Sequence, residues 1–476
     1  MGALACDAMP DSKPLHLPAG SKRSDGGLPT HGFDPITAAL ANEIFAYARE
    51  RIEMDPPLDG PLTYAELAAR AGDTITAEGL GEHEALRVFA EVLAPATISS
   101  DHPRYFAFVP QAPTEAAILF DLVVGASCIF GGSWMEGAGA IYAENQALRW
   151  LADLAGLPAD AGGCFVSGGT AGNLSALVAA RHSARSRIAT PVRPKLAVST
   201  EAHSSIAAAA NVMDVEIVQI PGDEQGRLTG ANLERVLGEE NPPGLFAVVA
   251  TAGLTNTGLI DDLAGVAEVC ARRSLWFHVD AAYGGAGLAA PSIRARYAGI
   301  ERADSLVIDP HKWLFAPFDC AALVYRDPTQ ARDAHTQHAP YLDALRHDDE
   351  WNPSDFAFHL TRRARGLPFW FSLAALGTDA YAESIETTLT LTRQAAELVR
   401  QSPHLELVMY PELSVLLIRR LGWVADDFQL WSQRLLASGT AFVVPTTHQG
   451  ETVARLCIVN PRTTTADVNA VLQSMA

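Results

Sequence analysis

Between residues 162 and 279 short apolar runs alternate with amphipathic stretches, and this rhythm restricts the chain more than any other feature. Cys164-Phe-Val precedes a helical pattern after Gly172, and Lys195 to Val198 precedes one after Ser204. Val215 to Ile220 leads into a helix near 231–238, Phe246 to Ala250 into one near 262–273, and Leu275 to Val279 closes the run. Such alternation predicts a mostly parallel sheet with helices on both faces. In sheets of that kind ligands bind in the crevice at the carboxyl ends of the strands.

The flanks read differently. Residues 1–33 are rich in Gly, Pro, Ser and Asp and are expected to be disordered. Helical spacing follows near 35–52, 63–72 and 82–94, then over Ala116 to Phe130 and Ala138 to Ala155, the last two apolar enough to need cover from another domain or subunit. A helical zone at 366–401 leads to strands expected near 405–409, 414–418, 440–444 and 453–459, a small α+β domain. At 476 residues the chain exceeds a single compact core. Its formal charge of −20 argues against nucleic acid or an anionic membrane as partner. Six scattered cysteines without a Cys-x-x-Cys pair suit reduced thiols in a cytoplasm, and no metal site is expected. No apolar run is long enough to span a bilayer, and no signal-peptide core is seen.

One lysine stands where lysines are uncommon. Ser305 to Ile308 reads as a buried strand stopped by Pro310, and Lys312 follows with Trp313, Leu314 and Phe315 behind it. Loss of hydration among apolar groups is expected to lower its pKa toward neutrality and free the amine as a nucleophile. Amines of that kind form Schiff bases with aldehydes, including that of pyridoxal phosphate (PLP). The alternative is a lysine that reaches out of a strand-end loop to solvent.

A PLP site must hold a phosphate, protonate a ring nitrogen, cover the ring and anchor the aldehyde, and each need has a candidate. Ser167-Gly-Gly-Thr-Ala-Gly-Asn173 lies between a strand and a helix, where glycines let amides approach an anion and Thr170 adds a hydroxyl. It matches neither the dinucleotide nor the nucleoside-triphosphate glycine pattern. Asp280 ends the strand in Trp276-Phe-His-Val-Asp280, where a buried carboxylate needs a cationic partner such as a pyridinium. Backbone amides alone are the other way to satisfy it. Ala281 and Ala282 leave room for a flat ring. His203 starts a helix after a strand and is placed to stack on the ring or to be a plain helix-end histidine. Thr255 lies in the next strand-end loop, and His311 adjoins Lys312.

Asp280-Ala-Ala-Tyr with Asp309-Pro-His-Lys312-Trp resembles the group II PLP-dependent decarboxylases, which include the aromatic L-amino acid, histidine and glutamate enzymes. The resemblance runs from about residue 35 to the C-terminus. It takes in His102-Pro-Arg-Tyr-Phe-Ala-Phe-Val-Pro110, Ser133-Trp134 with Glu144, and Leu360-Thr-Arg-Arg-Ala-Arg-Gly-Leu367. It implies the type I, aspartate aminotransferase-like α/β fold with a mostly parallel seven-stranded sheet. It also implies a homodimer with active sites at the interface. The expected division is a tail at 1–33, an N-terminal helical dimerisation segment at 34–112, a large PLP-binding domain at 113–365 and a small C-terminal domain at 366–476. By the same resemblance Lys312 is the Schiff-base lysine, Asp280 the ring-nitrogen partner, His203 the stacking residue, and Gly169 and Thr170 phosphate ligands. Thr255, Ala282, Asp309 and His311 complete the expected cofactor contacts. Asp309 stands where relatives often have Asn, and a carboxylate there would repel a phosphate unless shielded.

Relatives carry on a mobile loop a tyrosine that protonates the carbon left by CO2; Tyr341, in His338-Ala-Pro-Tyr341, matches it. Aldehyde-synthase relatives commonly carry Phe there, so simple decarboxylation to an amine is favoured. An ordinary surface-loop tyrosine is the plain alternative. Tyr105, Phe106, Phe108, Pro110 and Trp134 offer aromatic and apolar walls, which favours an aromatic L-amino acid, although such residues are also common in cores. The alternatives are a decarboxylase of a smaller or acidic amino acid (glutamate, 2,4-diaminobutyrate), an aromatic aldehyde synthase, or a non-catalytic PLP-binding homologue.

Overall fold

A computed structural model describes residues 30–58, 60–185, 192–340 and 350–476. Most of the expected tail, and Tyr341 with the rest of its loop to 349, lie outside the described residues. The chain divides into two compact units, residues 1–98 and 99–476. Residues 99–112, grouped by the sequence with the N-terminal helices, belong to the larger unit.

The smaller unit holds helices Pro35–Glu53, Tyr64–Ala71 and Glu82–Val88. Asp34 caps the first, whose Pro sits at its start, and Thr63 with Glu66 forms a reciprocal cap on the second.

The larger unit is built on seven strands: β1 (Gly162–Val166), β2 (Lys195–Ser199), β3 (Glu216–Ile220), β4 (Leu245–Thr251), β5 (Trp276–Asp280), β6 (Ser305–Ile308) and β7 (Ala321–Tyr325). Their order is β1-β7-β6-β5-β4-β2-β3, and the sheet is parallel except for β7, which runs against both neighbours. The apolar runs are continuous because both faces are covered. Along β7, Ala322 and Val324 join one core cluster while Ala321, Leu323 and Tyr325 join the other. β1, β2, β4, β5 and β6 all point the same way, so the turns after Val166, Ser199, Thr251, Asp280 and Ile308 share one edge of the sheet.

The expected helix over Ala116 to Phe130 is Glu115–Ala126, ending just before Cys128 adopts φ 50°. Helix Trp134–Leu154 follows, and its Glu144 pairs with buried Arg362 through two contacts of 2.7 Å. The helical zone at 366–401 is two helices, Leu367–Leu376 and Thr378–Gln401, separated by Gly377 at φ 83°. Among the described residues no helix is long and apolar enough to cross a membrane.

A second, antiparallel sheet contains β8 (Leu405–Leu407), β9 (Val415–Arg420), β10 (Thr446–His448) and β11 (Glu451–Cys457), in the order β10-β11-β9-β8. Helices Ala425–Ala437 and Thr465–Gln473 help to close its core. The strand expected at 440–444 is corrected to 446–448. Phe442 forms only an isolated bridge with Tyr105, because its backbone groups pair with Arg104 O (3.0 Å) and Phe106 N (2.8 Å).

Candidate active site

The turns at the carboxyl edge of the large sheet meet near Lys312. Pro310 opens a one-turn helix, Pro310–Trp313, directly after β6, and Lys312 N–H donates to Asp309 O at 2.9 Å. Lys312 Nζ lies 2.9 Å from Asp309 Oδ2. The same oxygen accepts from Gly169 N–H at 3.2 Å and lies 3.7 Å from His311 Nε2. Asp309 Oδ1 is buried and has no hydrogen-bond partner among the described residues.

These contacts correct the expectation of a lysine with a depressed pKa. Burial pushes the ammonium down, but the charges of Asp309 and Asp280, with the Asp309 hydrogen bond, outweigh it and raise the pKa. The apolar neighbours act as anticipated; the carboxylate one turn earlier acts more strongly. His311 is buried, and its Nδ1 accepts from Cys320 N–H at 3.1 Å, which leaves Nε2 toward Asp309. Burial lowers its pKa, opposed by Asp309 and assisted by Lys312.

Gly168 and Gly169 start the helix Gly169–Ala184, which no side chain among the described residues caps, and Ser167 and Thr170 are exposed there. A Cβ on Gly169 would come within 3.0 Å of both Ala282 Cβ and Asp309 Oδ2. Glycine is what lets this turn close on the ends of β5 and β6.

Asp280 is buried at the end of β5. Its Oδ1 accepts from Ala282 N–H at 3.1 Å and its Oδ2 from Asn173 Nδ2 at 2.9 Å. Asp309 N–H donates to Ala282 O at 3.1 Å, which ties the two strand ends together. His203 is exposed and caps the helix Ser204–Val212, its Nδ1 accepting from Ser205 N–H at 3.2 Å.

These residues fit pyridoxal phosphate. An uncapped helix start suits a phosphate, Asp280 suits a ring cation, and Lys312 is an amine in the same crevice. Asp309 opposes a dianion, but Lys312 and the Gly169 amide counter its charge.

The expected walls separate into three groups. Tyr105 and Phe108 both pack edge-on against Phe442, with ring centroids 5.0 and 6.2 Å apart, and Phe108 is exposed at φ 51°. Phe106 is corrected: it is fully buried in the core of the second sheet, where its carbonyl accepts from Cys457 N–H at 2.9 Å. Pro110 is buried, and Trp134 begins the helix Trp134–Leu154 with its N–H donating to Asn352 Oδ1 at 2.8 Å.

Four residues were passed over by the sequence reading. Asn173, Ser205 and His278 form a buried network with Asp280; the alternation of a strand places His278 on the same face as Asp280, a signal that was available. Arg455, on β11, is buried, and its guanidinium donates to the carbonyl oxygens of Thr255 and Phe108. Thr255 thus offers its backbone carbonyl to Arg455. Arg104, within the run that carries the resemblance, donates to Gly439 O at 3.4 Å and lies 3.9 Å from Asp467 Oδ1.

A family model described as the pyridoxal-dependent decarboxylase conserved domain matches residues 73–419. The chain is 33% identical over 399 residues to an L-2,4-diaminobutyrate decarboxylase of Rhizobium meliloti (strain 1021), covering 79% of this chain and 77% of that one. It is 29% identical over 390 residues to an aromatic-L-amino-acid decarboxylase of Bacillus atrophaeus, covering 79% and 81%. Its fold matches the crystal structure of Oryza sativa TDC with PLP and tryptamine at a TM-score of 0.85 and 23% identity, over 93% of this chain and 99% of that one.

Proposed function

The chain belongs to the pyridoxal-dependent decarboxylase family, and from that footing we propose that its substrate is an aromatic L-amino acid, with Lys312, Asp280, His203 and Tyr341 carrying the chemistry. The reaction class is PLP-dependent decarboxylation of an amino acid. What most supports the reading is the Lys312–Asp309–Gly169 contact in one crevice with Asp280, together with the aromatic group of Tyr105, Phe108 and Phe442.

When bound, PLP supplies an aldehyde that captures an amine and a protonated ring that accepts the electron pair released as CO2 departs. Lys312 must lose a proton to act as that amine, and Asp309 Oδ2 stands 2.9 Å from Nζ as an acceptor. Asp280, whose two oxygens accept from Asn173 and from the Ala282 amide, would pair with the ring cation of the bound group. The Gly169–Thr170 helix start binds phosphate. His203 would cover the ring of the bound group, with Nε2 available to a substrate carboxylate. Tyr341 returns a proton to the carbon that has lost CO2.

Arg455 favours a second reading. A guanidinium that is buried and paired with carbonyl oxygens has charge to spare for a carboxylate. An acidic side chain would find a partner there.

The reading extends to a homodimer with active sites at the interface. Leu119, Leu122 and Val123 are exposed on helix Glu115–Ala126, as are Met135 and Tyr142 nearby in sequence, an apolar surface suited to a second copy. A cytoplasmic location goes with the free cysteines among the described residues.

The test is CO2 release from the proteinogenic amino acids, L-DOPA, 5-hydroxytryptophan and 2,4-diaminobutyrate. The highest kcat/KM is expected for an aromatic substrate. If glutamate leads instead, the aromatic assignment falls and the Arg455 reading takes its place; if diaminobutyrate leads, whose side chain is a cation, both readings fall.

A further inference from the structure

One side-chain amide joins the two residues assigned to the cofactor ring. Asn173 Nδ2 donates to Asp280 Oδ2 at 2.9 Å and to Ser205 Oγ at 3.0 Å, which uses both of its hydrogens. A carboxylate only accepts, so the amide can face Asp280 in one orientation alone. Its Oδ1 then lies 2.9 Å from His278 Nε2, which must be a donor. Ser305 Oγ accepts from Trp276 Nε1 at 2.8 Å and gives its own hydrogen to His278 Nδ1, also at 2.8 Å. Burial, only partly opposed by Asp280, lowers the His278 pKa to about 4, in keeping with a neutral ring carrying one proton.

The other branch continues the same direction. Ser205 Oγ, having accepted from Asn173, donates to His203 Nδ1 at 2.9 Å, and Ser205 N–H donates to the same nitrogen at 3.2 Å. The His203 proton is left on Nε2, the nitrogen on the far side of the ring from this network. Asn173, Ser205, His278 and Ser305 are all buried, so water does not compete for these bonds.

We infer that Asn173 is a positioning residue: one amide aims the Asp280 carboxylate and, through Ser205, fixes which nitrogen of His203 carries the proton. The inference rests on the assignment of Asp280 and His203 to the cofactor made above, and deepens it.

Two substitutions separate direction from packing. Asn173→Asp keeps the shape but cannot donate; it sets a carboxylate against Asp280 and draws the Ser205 hydrogen away from His203. Asn173→Ala removes the donors without adding charge but leaves a cavity. A packing role makes the alanine variant the worse of the two, whereas a directional role makes the aspartate variant worse. In folded holoenzymes, compared by circular dichroism, the PLP dissociation constant is expected to rise by about tenfold or more in Asn173→Asp and by less in Asn173→Ala. The visible band of the lysine-bound cofactor should change with it. In 15N-histidine spectra, His203 should lose its single Nε2–H form in the aspartate variant. Near-wild-type values in Asn173→Asp overturn the inference. If that variant does not fold, Asn173→Ala decides, and an unchanged band and dissociation constant overturn it. A wild type with no PLP band, or one whose band survives in Lys312→Ala, instead sinks the assignment of the site on which the inference rests.

Discussion

Lys312 Nζ lies 2.9 Å from Asp309 Oδ2, so the amine proposed to receive the cofactor is held as an ammonium by a carboxylate one turn away. Asp309→Asn removes that charge and leaves burial to act with less opposition, which lowers the Lys312 pKa. More free amine is then present at neutral pH, and apoprotein should capture PLP faster. The advantage is greatest below both pKa values and disappears once the pH exceeds that of wild type. Stopped-flow growth of the visible band measures it. Equal rates at neutral pH would show that Asp309 does not restrain the lysine.

His278 gives a pH dependence of stability. Its pKa is lowered by burial from 6.5 to about 4 in the folded chain, against an opposing pull from Asp280. The unfolded chain therefore binds a proton between those values that the folded chain refuses. Stability from this source is complete above 6.5, falls as the pH drops toward 4 and falls no further below it. His278→Gln should lower the Tm at neutral pH and flatten its decline over that range. A decline as steep as wild type would place the titrating group elsewhere.

Tyr341 lies outside the described residues, and its role rests on its sequence match alone. Tyr341→Phe removes the phenolic proton, so the carbon left by CO2 stays unprotonated longer and is open to dioxygen. Less amine and more aldehyde, ammonia and peroxide are expected in air, with the difference reduced under nitrogen. Normal amine at an undiminished rate in both atmospheres would remove Tyr341 as proton donor.

What was legible in the sequence was local. β1 to β6 announce themselves as apolar runs, and Gly169, Asp280 and Lys312 stand at strand ends, where a turn signal and a chemical group coincide. What was not legible needs partners far apart in the chain. Phe106 looks like a pocket aromatic until Phe442, from the other end of the chain, takes up its backbone and places its ring in a core. The same pairing moves β10 from 440–444 to 446–448. Arg455 acquires meaning only when Thr255 and Phe108 are beside it. Asn173 needs Asp280, more than a hundred residues away, to be read as more than part of a glycine-rich turn.

The central claim is that Lys312 is the amine that holds the cofactor, and borohydride reduction of PLP-loaded protein followed by peptide mass mapping tests it most directly. The account predicts one reduced pyridoxyl adduct, on Lys312, with neither adduct nor CO2 release in Lys312→Ala. An adduct mapped to another lysine in wild type, or CO2 release that persists in Lys312→Ala, would contradict it.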